Sequence, residues 1–241
     1  MFQKRNPMSN TTKDLRYLDA GNKFINYAFL ALEDHFSSRQ DFMHYFAAIK
    51  SSDRKSLFLR TASYYLFLVK RGDWVVDVPE SDKVIDYLTN TYKYVAIFSL
   101  IESLSEETFV DFYEFLVRRK SGVGFPIDKS RLEDIYGRYK EDFGAIKRCI
   151  SFFRKLSPER QRALLSRLEV KGTEPTIENL AKYLYELRSK FVHGAELVLD
   201  MSEGITLSQT GSKLVVCRLS IRDAMIFFEE GLIKYFQETE A

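Results

Sequence analysis

The sequence predicts a mainly α-helical protein with one small antiparallel β-hairpin near its carboxyl end. Apolar residues recur at intervals of three and four through most of the chain, which is the spacing of one helix face. Only five prolines and eleven glycines occur in 241 residues, so we expect long helices and few elaborate loops. Short apolar runs bounded by turn residues are concentrated after residue 196, where they indicate strands. With 45% hydrophobic residues, the chain has ample material for a packed core.

We predict that residues 1–79 form an N-terminal helical extension or subdomain and that residues 80–241 form the main helical domain. In the extension, a loose tail precedes a first helix that is interrupted at Gly21 and fades near Ser37. A short extended segment is expected before the main domain. The predicted elements are the tail at 1–12, helices at 15–32, 41–50 and 54–70, and the extended segment at 75–78.

The main domain begins with a helix at 82–103 that is apolar nearly all round at its centre, so we expect it to be buried. A capping pattern at Ser105 starts the next helix, and glycines and a proline at 122–126 predict a surface loop. Ser157 is a helix cap followed by proline at the first helical position. Further helices are predicted at 130–139, 141–156 and 158–169.

The next helix has the most informative sequence. Thr176 is a candidate cap, and Gly194 follows the last turn, where glycine commonly closes a helix. Arg188 and His193 are five residues apart and therefore point roughly 140° away from each other around an ideal helix. A site shared by the two side chains needs a bent last turn or a second helix. The apolar face of this helix consists of Leu180, Leu184, Leu187 and Phe191.

Three short apolar runs follow this helix and predict strands, and the last two form a hairpin. The runs lie at 197–199, 204–207 and 213–219, with a turn at 208–212. Ser220 then caps a terminal amphipathic helix.

The segment from Arg188 to Gly194, with the sequence Arg-Ser-Lys-Phe-Val-His-Gly, resembles the Arg-x4-6-His signature of HEPN domains. Its surroundings are most similar to the Apea-like branch of that superfamily. The resemblance covers the latter two thirds of the chain and implies a HEPN-like helical bundle over 80–241. It also implies a homodimer in which two such helices meet and form one composite cleft.

The resemblance further implies a metal-independent endoribonuclease that serves as a toxin or phage-defence effector. Arg188 and His193 would be catalytic, since a guanidinium matches phosphate oxygens and an imidazole exchanges protons near neutral pH. Ser189, Tyr185 and Glu186 would support them. RNA is the expected partner, and we expect neither a cofactor nor a metal.

A second interpretation is a catalytically silent HEPN-like module that dimerises or binds a partner or nucleic acid. Ser189 favours it, because many HEPN proteins have Asn, Asp or His directly after the arginine. Residues 118–171 contain fifteen basic residues against seven acids, an excess of eight. Together with Tyr136, Tyr139, Phe152 and Phe153, this stretch would either follow an RNA backbone or form a solvated surface above core aromatics.

Charge, cysteines, histidines and apolar runs do not indicate a disulfide-stabilised, metal-binding or membrane-spanning protein. The formal net charge of +2 does not indicate a nucleic-acid binder as a whole, so such a role would need local patches. Cys149 and Cys217 match no disulfide or metal framework, which predicts reduced thiols in a cytoplasmic protein. His35 and His44 lack the partners of a metal motif and are predicted to be surface or packing residues. No apolar run is long enough to predict a membrane span.

Overall fold

The computed structural model describes residues 22–72, 79, 82–104, 111–118, 126–171, 175–194, 205–210 and 213–237. It confirms a mainly helical protein with a small antiparallel sheet. The predictions for 1–12, 75–78, 122–125 and 197–199, the helix start at Ser105 and the interruption at Gly21 lie outside these residues.

The N-terminal layer consists of three helices, each broadly where the sequence predicts it. They are α1 (Asn22–Leu32), α2 (Arg39–Ala48) and α3 (Ser52–Tyr65). Ser38 and Ser51 cap α2 and α3, because their Oγ atoms accept hydrogen bonds from backbone N–H groups three residues later. The predicted helix 54–70 is helical throughout, but its last five residues, Leu66–Lys70, form a π-helical turn instead of an α-helix.

Helix α4 (Asp82–Ser103) has the predicted bounds and lies in the core. Ile97 and Phe98 are fully buried, as expected for its apolar centre. Helices α5 (Phe112–Arg118), α6 (Lys129–Phe143), α7 (Ala145–Arg154) and α8 (Pro158–Leu165) follow. Ser157 caps α8 as predicted, by accepting a hydrogen bond from the backbone N–H of Arg160.

Two predicted boundaries in this region are wrong. The chain leaves the helical conformation at Gly144 rather than near Lys140, because Gly144 adopts an extended conformation between α6 and α7. Helix α8 ends at Leu165 instead of 169, because Leu168–Val170 form strand β1. The sequence of β1 has no strand signal of its own, and its state depends on pairing with a strand almost fifty residues later.

Helix α9 (Ile177–Gly194) precedes strands β2 (Thr206–Thr210) and β3 (Lys213–Cys217) and helix α10 (Ile221–Gln237). The hairpin prediction is confirmed, but β2 extends to Thr210, which pairs with Lys213 and leaves a two-residue connection in place of the predicted turn at 208–212. The sheet order is β1-β3-β2, and both pairings are antiparallel. Ser220 caps α10, as predicted.

One hydrophobic core joins the N-terminal helices to the rest of the described chain. Helix α10 contributes Phe228, whose ring lies 4.8 Å from the ring of Tyr65, and Phe227, whose ring lies 4.9 Å from that of Phe153. Residues 22–70 therefore share their core with the helices after residue 80. The division into two parts at residue 79 stays a prediction.

A buried polar cluster, formed by His35, Tyr65, Lys70 and Glu229, lies where α10 meets the π-helical turn. The carboxylate of Glu229 is only 6% exposed and accepts a hydrogen bond from the Tyr65 hydroxyl at 2.5 Å. Its other oxygen lies 2.8 Å from Nε2 of His35, and Lys70 Nζ lies 3.3 Å from the first oxygen. The predicted surface or packing role of His35 therefore leaves out its main contact, a hydrogen bond with a buried carboxylate.

No helix in the described part of the chain combines the length and apolar composition that crossing a membrane requires. Cys149 and Cys217 are free and buried.

Candidate functional site

Helix α9 forms for the local reasons that the sequence suggests. The backbone N–H of Asn179 donates to the side-chain oxygen of Thr176 at 3.2 Å, which confirms the predicted cap. Leu180, Leu184 and Leu187 are buried. The Tyr94 hydroxyl of α4 donates to the carbonyl of Leu184, so α9 is fixed to the central helix at its middle.

Arg188 faces α4, where it meets an acid that sequence reasoning did not identify. Its Nη2 lies 3.4 Å from Oε1 of Glu102, and the two side chains are 15% and 25% exposed. The guanidinium carbon lies 5.6 Å from the centre of the Tyr185 ring, a cation-π distance. The Nε atom of Arg188 is buried without a hydrogen-bond partner. This ion pair is therefore longer and less complete than a bidentate arginine–carboxylate pair.

Glu102 is the electrostatic centre of this cluster. Burial, and next the negative charge of Glu102, raise the pKa of Tyr185, whereas Arg188 lowers it. A hydrogen bond from Tyr185 to Glu102 adds to the increase, because it favours the protonated phenol. Burial raises the pKa of Cys149 on α7, and Glu102 raises it further. At neutral pH, Tyr185 and Cys149 are thus uncharged, and the guanidinium of Arg188 faces the carboxylate of Glu102.

His193 has a different environment from Arg188. It is exposed in the last turn of α9, where the helix dipole favours a cation. Ser189 is half-buried and Glu186 is exposed, so the carboxylate beside Arg188 is Glu102 rather than Glu186. Within one chain, the structure brings Arg188 and Tyr185 together and leaves His193 apart from them.

Exposed apolar side chains surround this end of α9. Val192 is 44% exposed, and Tyr92 of α4 is 48% exposed. The Tyr92 ring meets the ring of Phe191 edge to face at 5.4 Å. We call Tyr92, Phe191 and Val192 the α9 patch. Phe191 and Val192 of this patch lie next to His193 in sequence.

Three of the fifteen basic residues in the stretch 118–171 pair with acids from outside it. Arg154 pairs with Glu178 at 2.8 Å, and Arg160 forms two hydrogen bonds with Glu230. Arg167 lies 3.9 Å from Asp223. Phe152 and Phe153 are buried in the core and cannot stack on bases. The three ion pairs lower the local excess of positive charge without cancelling it, and RNA binding by this stretch stays a prediction.

Among the described residues, no group of three or more His, Cys, Asp or Glu side chains could hold a metal ion. Comparisons of the chain with protein-family models, with curated proteins and with solved structures find no match. The fold and the site together define the class only as a mainly helical protein with a small antiparallel sheet, a half-buried Glu-Arg-Tyr cluster and an exposed histidine at the end of α9.

Proposed function

We propose that the chain is a metal-independent endoribonuclease of the HEPN type, in which His193 of one copy and Arg188 of a second copy act on the same phosphate. The observation that supports this most directly is the exposed imidazole of His193 beside the α9 patch. A catalytic imidazole must reach its substrate, and an exposed apolar patch is typical of a surface that associates.

The chemistry divides between the two side chains. His193 takes the proton of a ribose 2′-hydroxyl, and the resulting alkoxide attacks the adjacent phosphorus. Arg188 stabilises the negative charge of the phosphorane. The 5′ oxygen leaves and takes a proton from solvent, so the products are a 2′,3′-cyclic phosphate and a 5′-hydroxyl. The Ser189 hydroxyl is placed one residue after the arginine and would donate to a phosphate oxygen.

Two copies are required because α9 is an uninterrupted helix. Arg188 faces α4 in its own chain, whereas His193 is exposed to solvent. A two-fold axis through the α9 patch would bring His193 of each copy towards the motif helix of the other. Burial of the patch would stabilise this arrangement.

The test is RNA cleavage in the presence of EDTA. We expect wild type to cleave and Arg188→Ala and His193→Ala to be inactive, with Arg188→Lys intermediate because it keeps the charge and loses the fork. Co-expressed Arg188→Ala and His193→Ala chains should regain about a quarter of the activity, since half of the dimers are mixed and each has one intact site. Undiminished cleavage by both single variants would refute the assignment.

A specific observation favours a second function, a catalytically silent dimerisation or binding module. Glu102 neutralises Arg188, and this is what a purely structural arginine requires. In that case, Val192→Glu should abolish dimerisation. Neither wild type nor Arg188→Ala should cleave RNA. Wild-type cleavage that Arg188→Ala removes would exclude the silent module.

A further inference from the structure

The two edges of the small sheet differ in character. Its strand order is β1-β3-β2, so β1 and β2 are the outer strands among the described residues. Strand β1 has only three residues, includes Glu169 and is flanked by Arg167 and Lys171. Short length and charge are features by which edge strands avoid pairing with other chains. Strand β2 lacks them: it pairs with β3 over all five of its residues without a bulge, and it contains neither a charged residue nor a proline.

The hydrogen bonds between β1 and β3 fix the direction of the backbone groups in β3. The N–H of Lys171 donates to the carbonyl of Leu214, and the N–H of Arg218 donates to the carbonyl of Arg167. The backbone groups of successive residues in an antiparallel strand point to opposite sides. Leu214 therefore turns its backbone groups towards β1, and the next residue, Val215, turns its groups towards β2.

The same alternation fixes the outward groups of β2. Val215 lies opposite Ser208 in the register, so Ser208 turns its backbone N–H and C=O towards β3. Its neighbours Leu207 and Gln209 consequently turn their N–H and C=O groups away from the sheet. An edge strand that presents a row of such groups is a template for the backbone of another strand.

The outer face of the sheet carries exposed apolar side chains beside this edge. Leu207 is 65% exposed and lies opposite Val216 of β3, and Leu214, two residues before Val216, is 45% exposed on the same face. Ile205, directly before β2, is 61% exposed. The inner face packs into the core, where Val215 is buried. Exposed apolar side chains that cluster are typical of a surface that associates.

This edge is complementary to itself. A two-fold axis at Leu207 would pair its outward backbone groups with those of Leu207 of the second copy, and the backbone of Ile205 with that of Gln209, in both directions. Strand β2 has no charge, so this pairing sets no like charges opposite each other. The two Leu207 side chains would lie side by side between the two Val216 residues, and an apolar row would cross the contact.

We propose that a second copy of the chain pairs antiparallel along β2, centred on Leu207, so that two three-stranded sheets become one six-stranded sheet. Such a contact is isologous, so one edge serves both copies. It goes beyond the proposed RNA cleavage, because it uses β2 and not the α9 patch and does not depend on whether the chain cuts RNA. A chain with both contacts would assemble further than a dimer.

The test is the mass of the assembly in solution, measured by sedimentation equilibrium over a range of protein concentrations. Leu207→Lys and Leu207→Glu should each raise the dissociation constant of this contact at least about tenfold, because like charges meet at the axis. Both should keep the wild-type circular dichroism spectrum, since Leu207 is exposed. Leu214→Lys is the matched control: it introduces the same charge on the same face, but on β3 and away from the axis, and should leave the mass unchanged.

Mixing the variants then tests the two-fold pairing. An equimolar mixture of Leu207→Lys and Leu207→Glu chains should regain the wild-type mass, because opposite charges meet in the mixed pairs. Equal masses for wild type and both single variants, or no recovery in the mixture, would overturn the proposal, whether the edge then binds a different protein or nothing. Cleavage of RNA is not part of this measurement, so its outcome is independent of the roles proposed for Arg188 and His193.

Discussion

Replacing Lys70 with methionine should destabilise the fold more than any surface substitution, because it leaves the buried carboxyl group of Glu229 without its ammonium partner. Lys70 Nζ lies 3.3 Å from Glu229 and also donates to the carbonyl of Ala31 at 2.9 Å. Removing one partner of a buried ion pair costs about 3–5 kcal/mol. Tyr65 and His35 remain hydrogen-bonded to Glu229, so we expect the lower end, about 3 kcal/mol, for Lys70→Met.

For a chain of this size, 1 kcal/mol corresponds to about 2–4 °C, so the melting temperature should fall by about 6–12 °C. Urea unfolding followed by circular dichroism would give the free energy of unfolding directly. Lys182→Met is the matched control, since Lys182 is exposed on α9, and its effect should stay within about 0.5 kcal/mol.

A double-mutant cycle separates the ion pair from general packing. Glu229→Gln keeps the shape of the side chain and removes its charge, so the double variant should be more stable than the sum of the single effects predicts, by at least about 1 kcal/mol. A cost below about 1 kcal/mol for Lys70→Met, or additive effects in the cycle, would show that the cluster does not hold the N-terminal layer to α10.

Three further substitutions test other features of the fold. Gly231→Ala should lower the free energy of unfolding by about 1–3 kcal/mol, because the new methyl carbon would lie 2.3 Å from the ring of Phe152. Gly137→Ala should raise it by about 0.5–1 kcal/mol, because a methyl group there would meet no described atom within 4 Å. Thermal unfolding of both variants measures the difference. Lys70 lowers the pKa of Asp34, chiefly through a hydrogen bond, so the stability this pair contributes is present above the ordinary carboxyl pKa and lost as pH falls through the lowered one. Asp34→Asn should therefore flatten the acid limb of the stability profile slightly, since Asp34 is exposed, and an unchanged limb would contradict this.

Local sequence signals predicted most helices correctly, because their causes lie within a few residues. Thr176, Ser157 and Ser220 cap the helices that follow them, and the central apolar segment of α4 is buried. The helix predicted through residue 169 is wrong because pairing over a long separation won over local preference, whereas the misplaced break at Gly144 is a local feature of the backbone. Strand β1 lies in a stretch that looks helical, and only β3 makes it a strand.

For the candidate site, the sequence predicted helix α9 and the place of His193 in its last turn, both of which the structure confirms, while the roles of Arg188 and Tyr185 stay predictions. It did not identify Glu102, because nothing in the spacing of α4 indicates that this acid meets an arginine 86 residues later. In the basic stretch, three arginines are paired with Glu178, Asp223 and Glu230, acids that lie outside the stretch in the sequence.

The sequence by itself determined the helical class, the hairpin and most caps, because periodicity and capping depend on neighbours along the chain. Only the tertiary structure decided which charges are neutralised and which remain available. His35 and Glu229 are 194 residues apart and share a hydrogen bond. Such contacts depend on how the helices pack in three dimensions, and the free energy of burying a charge depends on all the groups that packing brings to it.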